Sequence, residues 1–180
     1  MSKENSRVFP GAGFSSVRNR SSGFLSFFRK YKTYIISIAI ALAAGILGGI
    51  VTYLGMGEFN TLNQPPLSPP GFLFPVVWTV LYVLMGIGAA RIYNKEEIKL
   101  SPALVIYGIQ LFFNYFWSVF FFGTGLYLFS FIWLIALWAL VLSMIILFYR
   151  IDKPAAYMQI PYILWLSFAA YLNFGIYLLN

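Results

Sequence analysis

Five long apolar runs are separated by short polar connections along this chain. They cover residues 33–56, 71–93, 102–123, 126–149 and 155–179, and each can supply the roughly 20 helical residues that cross a bilayer. The only acidic or basic residue inside them is Arg91, close enough to the end of the second run to reach the interface. Strands of a membrane barrel would be shorter and would alternate apolar with polar positions. The runs here are continuous, so the pattern predicts an all-α membrane protein, a five-transmembrane-helix bundle. The connections are short, from the stretch 57–70 down to the Thr124-Gly125 turn, which makes consecutive helices antiparallel neighbours. Pro102 and Pro154 fall where the third and fifth helices begin, a position that loses no hydrogen bond. Pro161 falls inside the fifth run and predicts a kink.

Composition sharpens this picture. Hydrophobic residues make up 61% of the chain and charged residues 9%. A soluble domain carries about 25% charge, so lipid is the solvent for most of residues 33–180. The charge is also one-sided. Lys3, Arg7, Arg18, Arg20, Arg29, Lys30 and Lys32 lie before the first run; Arg91, Lys95 and Lys99 flank the second connection; Arg150 and Lys153 flank the fourth. All 12 basic residues therefore fall on one side of a five-helix layout. The positive-inside rule then predicts a multi-pass cell-membrane protein with its N-terminus in the cytoplasm and its C-terminus outside. Residues 1–32 read as a basic, disordered cytoplasmic tail or one lying on the lipid surface. No nucleic-acid-reading module follows the tail, so the expected partner of its charge is the anionic lipid bilayer, with no nucleic acid.

The chain has no cysteine and no histidine. That removes disulfides, thiolate and imidazole metal sites, the usual haem axial ligands and any Ser-His-Asp hydrolase. No metal and no resident cofactor is expected. No carboxylate, lysine or histidine sits within a span, and no inverted repeat is visible, which argues against an ion-driven pump.

Several polar and aromatic positions stand out against this background. Gln110, Asn114 and Ser118 share one face of the third helix, with Trp117 beside them; they read either as interhelical glue or as a cavity wall. Trp78 and Trp165 lie well inside their spans rather than at the interfaces where tryptophan usually sits. Trp133 and Trp138 read as packing. The loop 57–70, with four prolines, is stiff and reads equally as a lid or as a connector. Ala41, Gly45 and Gly49, and Gly86 with Ala90, form small-residue faces that serve either bundle packing or a homodimer.

Three ordered segments carry a family resemblance. The first is Phe59-Asn60-Thr61-Leu62-Asn63-Gln64-Pro65-Pro66-Leu67-Ser68-Pro69-Pro70-Gly71, continuing with Phe74-Pro75-Val76-Val77-Trp78 to Gly86. The second is Gln110-Leu111-Phe112-Phe113-Asn114-Tyr115-Phe116-Trp117-Ser118 with Phe121-Phe122-Gly123. The third is Pro161-Tyr162-Ile163-Leu164-Trp165 to Asn173. Together they resemble the translocator protein family, also called tryptophan-rich sensory proteins, over roughly residues 33 to 180. The resemblance implies a five-helix bundle, often dimeric, with a pocket for porphyrins such as protoporphyrin IX and for other flat hydrophobic molecules. It implies a role in tetrapyrrole sensing, transport or light-dependent breakdown, with porphyrin as ligand rather than cofactor. Carried over by motif, Trp78 and Trp165 are the pocket tryptophans and Phe59 and Pro69 come from the lid. Phe74 and Tyr82 come from the second helix, and Asn114, Trp117, Ser118 and Phe121 from the third. Ala169 lies opposite Trp165. The family often has tyrosine where this chain has Phe59, and an acidic residue early in the fourth helix where it has Phe131-Ile132-Trp133. The alternative is a non-catalytic membrane scaffold without a dedicated ligand, for which the small-residue faces and the aromatics suffice.

Overall fold

A computed structural model describes the backbone of residues 14–96 and 101–180, with side chains from residue 31 onward. Of the tail expected to be disordered over residues 1–32, residues 1–13 lie outside the described residues, as does Lys99, and residues 14–32 are helical. The chain divides into two units, Met1–Lys32 and Thr33–Asn180. The described residues contain helices and no strand: α1 Phe14–Phe59, α2 Leu73–Lys95, α3 Pro102–Ser118, α4 Tyr127–Ile151, α5 Lys153–Tyr157 and α6 Ile160–Leu179. A π-helical turn, Val119–Gly123, extends α3. Five of the resulting helical stretches are long and apolar enough to cross a membrane: Tyr31–Phe59, Leu73–Lys95, Pro102–Gly123, Tyr127–Ile151 and Lys153–Leu179. The chain is a multi-pass, all-α membrane protein.

Hydropathy alone does not tell which side of an apolar helix faces its neighbours, but burial does. In α4 the buried positions are Ser130, Leu134, Leu137, Val141, Met144 and Phe148, spaced by three, four or seven residues along one stripe. Ile132, Ile135, Leu142 and Ile146, equally apolar, are exposed. Lipid tails are as apolar as these side chains, so close packing and buried hydrogen bonds select the stripe. Small residues allow the approach. The backbone of Ile38 occupies the space where a Cβ on Gly86 would go, and the Phe122 carbonyl does the same at Gly55.

The helical ends also differ from the apolar runs. α1 continues past Met56 to Phe59, so Phe59 belongs to a helix and not to the loop. The fifth span is interrupted: α5 ends at Tyr157, Met158 and Gln159 form a turn, and α6 begins with Pro161 in its first turn. Pro161 brings no N–H, so the helix re-forms around it. Gln159, fully buried, sits against Gly88 of α2 and donates to the Leu84 carbonyl (3.3 Å) and the Ala155 carbonyl (3.2 Å).

The α4–α5 junction carries the main ionic contact among the described residues. Asp152 is buried and accepts from Arg91 Nε and Nη2 and from Lys95 Nζ at 2.9 Å. The Arg91 hydrogen bond, followed by that of Lys95, outweighs burial and holds the Asp152 carboxyl below the ordinary carboxylate range. A lowered carboxyl contributes stability that is complete above the unfolded value of about 3.9 and is lost as pH falls through the folded value. The thermal midpoint in detergent should therefore hold steady from neutral pH and drop below about pH 4. Asp152→Asn should lower the midpoint at pH 7 and flatten that acid limb. An unchanged limb in the variant would assign it to another carboxylate.

Candidate functional site

The polar face of α3 divides between two jobs. Asn114 accepts from the Tyr82 hydroxyl and donates through Nδ2 to the Tyr162 hydroxyl at 2.9 Å. Tyr162 in turn donates to Gln110 Oε1 at 2.9 Å. This buried chain ties α2, α3 and α6 together, and it occupies both ends of the Asn114 amide. Gln110 and Asn114 are thus the interhelical glue of the two sequence-level alternatives. Asn114 is 2% exposed and does not present a free polar group to a ligand. Ser118, one turn further on, lines a cavity.

That cavity has a volume of about 590 Å³ and lies between α1 and α2 with Ser118 at its back, within the roughly 300–1,000 Å³ typical of small-molecule sites. From α1 it is lined by Leu42, Gly45, Ile46, Gly48, Gly49, Ile50, Thr52, Tyr53 and Met56. From the other side it is lined by Gly71, Phe74, Pro75, Trp78, Thr79 and Tyr82. None of these residues is charged. The glycines have distinct roles: the Tyr82 ring fills the space a Cβ on Gly45 would take, whereas a Cβ on Gly49 would meet nothing within 4 Å. A Cβ on Gly48 would stand 3.3 Å from Ser118 Oγ.

Trp78 forms the aromatic wall. Its ring centroid is 5.7 Å from Tyr82, 6.1 Å from Trp117 and 6.1 Å from Tyr162. Trp117 is buried behind it, stacked on Phe121 at 5.6 Å, with its indole N–H on Asn173 Oδ1 at 3.2 Å. Asn173 also accepts from Ser130 Oγ (3.1 Å) and donates to the Tyr127 carbonyl (2.8 Å). Phe59 and Phe74 meet edge to face at 6.2 Å, and Phe59 lies 5.9 Å from Phe121. Trp133 donates to the Phe113 carbonyl (2.8 Å) and Trp138 to Ser167 Oγ (2.9 Å), each satisfied within the packing.

Of the residues singled out from sequence, Phe74, Trp78, Tyr82 and Ser118 line the cavity. Phe59, Trp117 and Phe121 support it from behind through ring contacts. Trp165 does not line it: the indole packs on Phe74 at 6.1 Å and on Phe168 at 5.6 Å. Ala169 is buried in the core, and Pro69 is half-buried in the loop. What the sequence pattern did not disclose is the α1 wall. Gly45 and Gly49 were visible as a small-residue face, yet only Gly45 uses its missing side chain for packing; Gly49 leaves room in the cavity.

The loop joining α1 to α2 is fastened to α6. Asn63 N–H donates to Asn180 Oδ1 (2.9 Å), Asn180 Nδ2 returns to the Asn63 carbonyl (3.2 Å), and the Tyr171 hydroxyl donates to the Pro66 carbonyl (2.7 Å). Pro65 covers Gly175 so closely that a Cβ there has no space. Leu67, at φ 69°, takes the left-handed conformation usually given to glycine, closing the turn in which Ser68 Oγ donates to the Pro65 carbonyl at 2.8 Å.

The cavity is thus an apolar slot with an indole wall and a few hydroxyls, and such apolar clefts with few polar groups are typical of small-molecule sites. The chain is similar to known proteins over most of its length. The profile of the TspO/MBR family matches residues 37–179. The "Tryptophan-rich protein TspO" of Chlorobaculum tepidum is 36% identical over 153 residues, covering 82% of this chain and 96% of that protein. The "Tryptophan-rich sensory protein" of Cereibacter sphaeroides is 34% identical over 122 residues, 68% of this chain and 76% of that one. The "Translocator protein" of Bos taurus is 29% identical over 123 residues, 67% and 73% respectively.

Proposed function

Since the chain belongs to the TspO/MBR family, we propose that it binds porphyrins of the protoporphyrin IX type in the cavity between α1 and α2, acting in tetrapyrrole sensing, transport or light-dependent breakdown. The observation that carries this reading is the apolar cavity of about 590 Å³ walled by Trp78. A porphyrin is a flat π-system with an apolar perimeter, and an indole face suits its ring. The chain has no histidine or cysteine, so haem iron would find neither of the usual strong axial ligands. Free porphyrin is accordingly favoured over haem, relative to a His-ligated haem protein. Titrating the purified protein with protoporphyrin IX, followed by quenching of tryptophan emission, should give saturable binding at one porphyrin per chain. Unsaturable partitioning that matches empty detergent micelles would leave the protein as a membrane scaffold without this ligand.

The one-sided basic charge supports an N-terminus in the cytoplasm and a C-terminus outside. A C-terminal reporter that works only in the cytoplasm would overturn that orientation. Pairing into a homodimer is also part of the proposal. Gly45 and Gly86 are occupied within the chain, so such a pair would have to use other faces. Cross-linking in native membranes tests it.

A further inference from the structure

We propose that the ligand reaches the cavity sideways from the bilayer, through the slot between α1 and α2, while the loop after α1 stays in place as a fixed cover. The identity of the ligand rests on the porphyrin reading above; the route does not.

The slot is bounded at both ends. Toward the loop the lining ends at Met56 and Gly71, where a Cβ on Gly71 would stand in ordinary contact, 3.8 Å, with Met56 Sδ. Toward the other end, α1 meets α2 where Gly45 lies under the Tyr82 ring and Gly86 under Ile38. Between Gly45 and Met56 the helices part over about 16 Å, at 1.5 Å per residue. Along that stretch Ile46, Ile50 and Tyr53 line the cavity and are at the same time 63%, 53% and 81% exposed. Tyr53 above all is too exposed to be enclosed by the cavity, which puts the opening along this stretch. In a membrane-spanning helix the exterior at this depth is acyl chain, so the mouth opens into lipid.

The loop offers a poorer route. It is held to α6 at three places: Asn63 pairs with Asn180, Pro66 accepts from Tyr171, and Pro65 covers Gly175. Passage beneath it would break these contacts. Passage through the slot breaks none of them. A slot walled by Gly48 and Gly49 on one side and an indole on the other also admits a flat molecule edge-on.

Rates tell a route from a site. A narrowed mouth raises the barrier seen from both sides, so uptake and release slow together, whereas a damaged site changes affinity. The chain has no native cysteine, so introduced thiols can be bridged selectively. In proteoliposomes, bridging Asn63→Cys to Asn180→Cys with a short bis-methanethiosulfonate reagent, which releases methanesulfinate at each new disulfide, should leave protoporphyrin uptake and release within about twofold of the unbridged protein. The double variant Ile46→Phe/Ile50→Phe should slow both rates by about fivefold or more, and by more than its Kd changes. A bridged loop that slows uptake, with the filled mouth having no effect, would overturn the proposal. A second measurement needs no porphyrin. Lipids brominated in the acyl chain should quench the emission that Trp78→Phe removes, and the filled mouth should relieve that quenching. If Trp78 is not quenched, the slot is closed to lipid and the proposal fails. If it is quenched but porphyrin does not bind, the portal stands and the porphyrin reading is the one lost.

Discussion

Gly49→Phe should weaken protoporphyrin binding by about 10- to 100-fold, from the 1–3 kcal/mol that overfilling a packed site costs, and should not lower the thermal midpoint. The two halves of this expectation come from the same observation. Gly49 lines the cavity and a Cβ on it would meet no atom within 4 Å, so a ring there can enter the cavity without displacing its walls. Glycine inside a helix costs roughly 0.5–1 kcal/mol relative to alanine, so replacing it where nothing is displaced leaves α1 as stable or more so. Gly45→Phe provides the contrast. There the Tyr82 ring already stands where the side chain would go, and that ring is tied to Asn114. Gly45→Phe should therefore lose thermal stability as well as binding. Titration and a thermal scan on the same detergent preparations check both. Full affinity in Gly49→Phe would mean that the ligand sits elsewhere.

This contrast also marks how far the sequence could be read. Five spans, their antiparallel order and their one-sided charge follow from hydropathy and the positions of Lys and Arg, because the bilayer imposes length and polarity directly. Which face of a span looks inward does not follow. Leu134 and Ile135 are chemically equivalent to a hydropathy scale, yet one is buried and the other exposed. Only the shapes of the neighbouring helices decide between them. The same gap explains the glycines of α1: spacing shows that Gly45 and Gly49 share a face, but not that one lies under a tyrosine ring while the other borders open space.

The polar face of α3 was visible for the opposite reason. Buried polar groups in hydrocarbon must be paired or line a cavity, so Gln110, Asn114 and Ser118 stood out. The division of labour among them depended on partners that the spacing does not name. Tyr162 of α6, lying between Asn114 and Gln110, looks like any other aromatic residue in its apolar run. The break at Met158–Gln159 was foreshadowed by Pro161, whereas the π-helical turn at Val119–Gly123 left no mark in the sequence. Within that turn the Phe122 carbonyl packs on Gly55 and leaves no room there for a side chain.

Placement separates two tryptophans that the motifs treat as a pair. Trp78 lines the cavity, while Trp165 stands behind Phe74. Aromatic contacts contribute about 0.5–1.5 kcal/mol beyond area burial, so Trp78→Phe should weaken porphyrin binding by roughly three- to tenfold. Trp165→Phe should change it by less than about twofold, because Phe74 intervenes. The separation should be wider under illumination. A photoexcited porphyrin can take an electron from an adjacent indole, and phenylalanine is far harder to oxidise. With porphyrin at saturating concentration, differences in binding drop out, and light-dependent porphyrin loss in Trp78→Phe should fall further than its affinity does. Trp138→Phe is the control: its indole is spent on Ser167 of α6, remote from the cavity lining, and it should bind and react like the parent. Absorbance of the porphyrin band, followed in light and in darkness for all three variants, provides the comparison. Equal light-dependent loss in Trp78→Phe and the parent would remove the cavity indole from any breakdown reaction, leaving binding as its role.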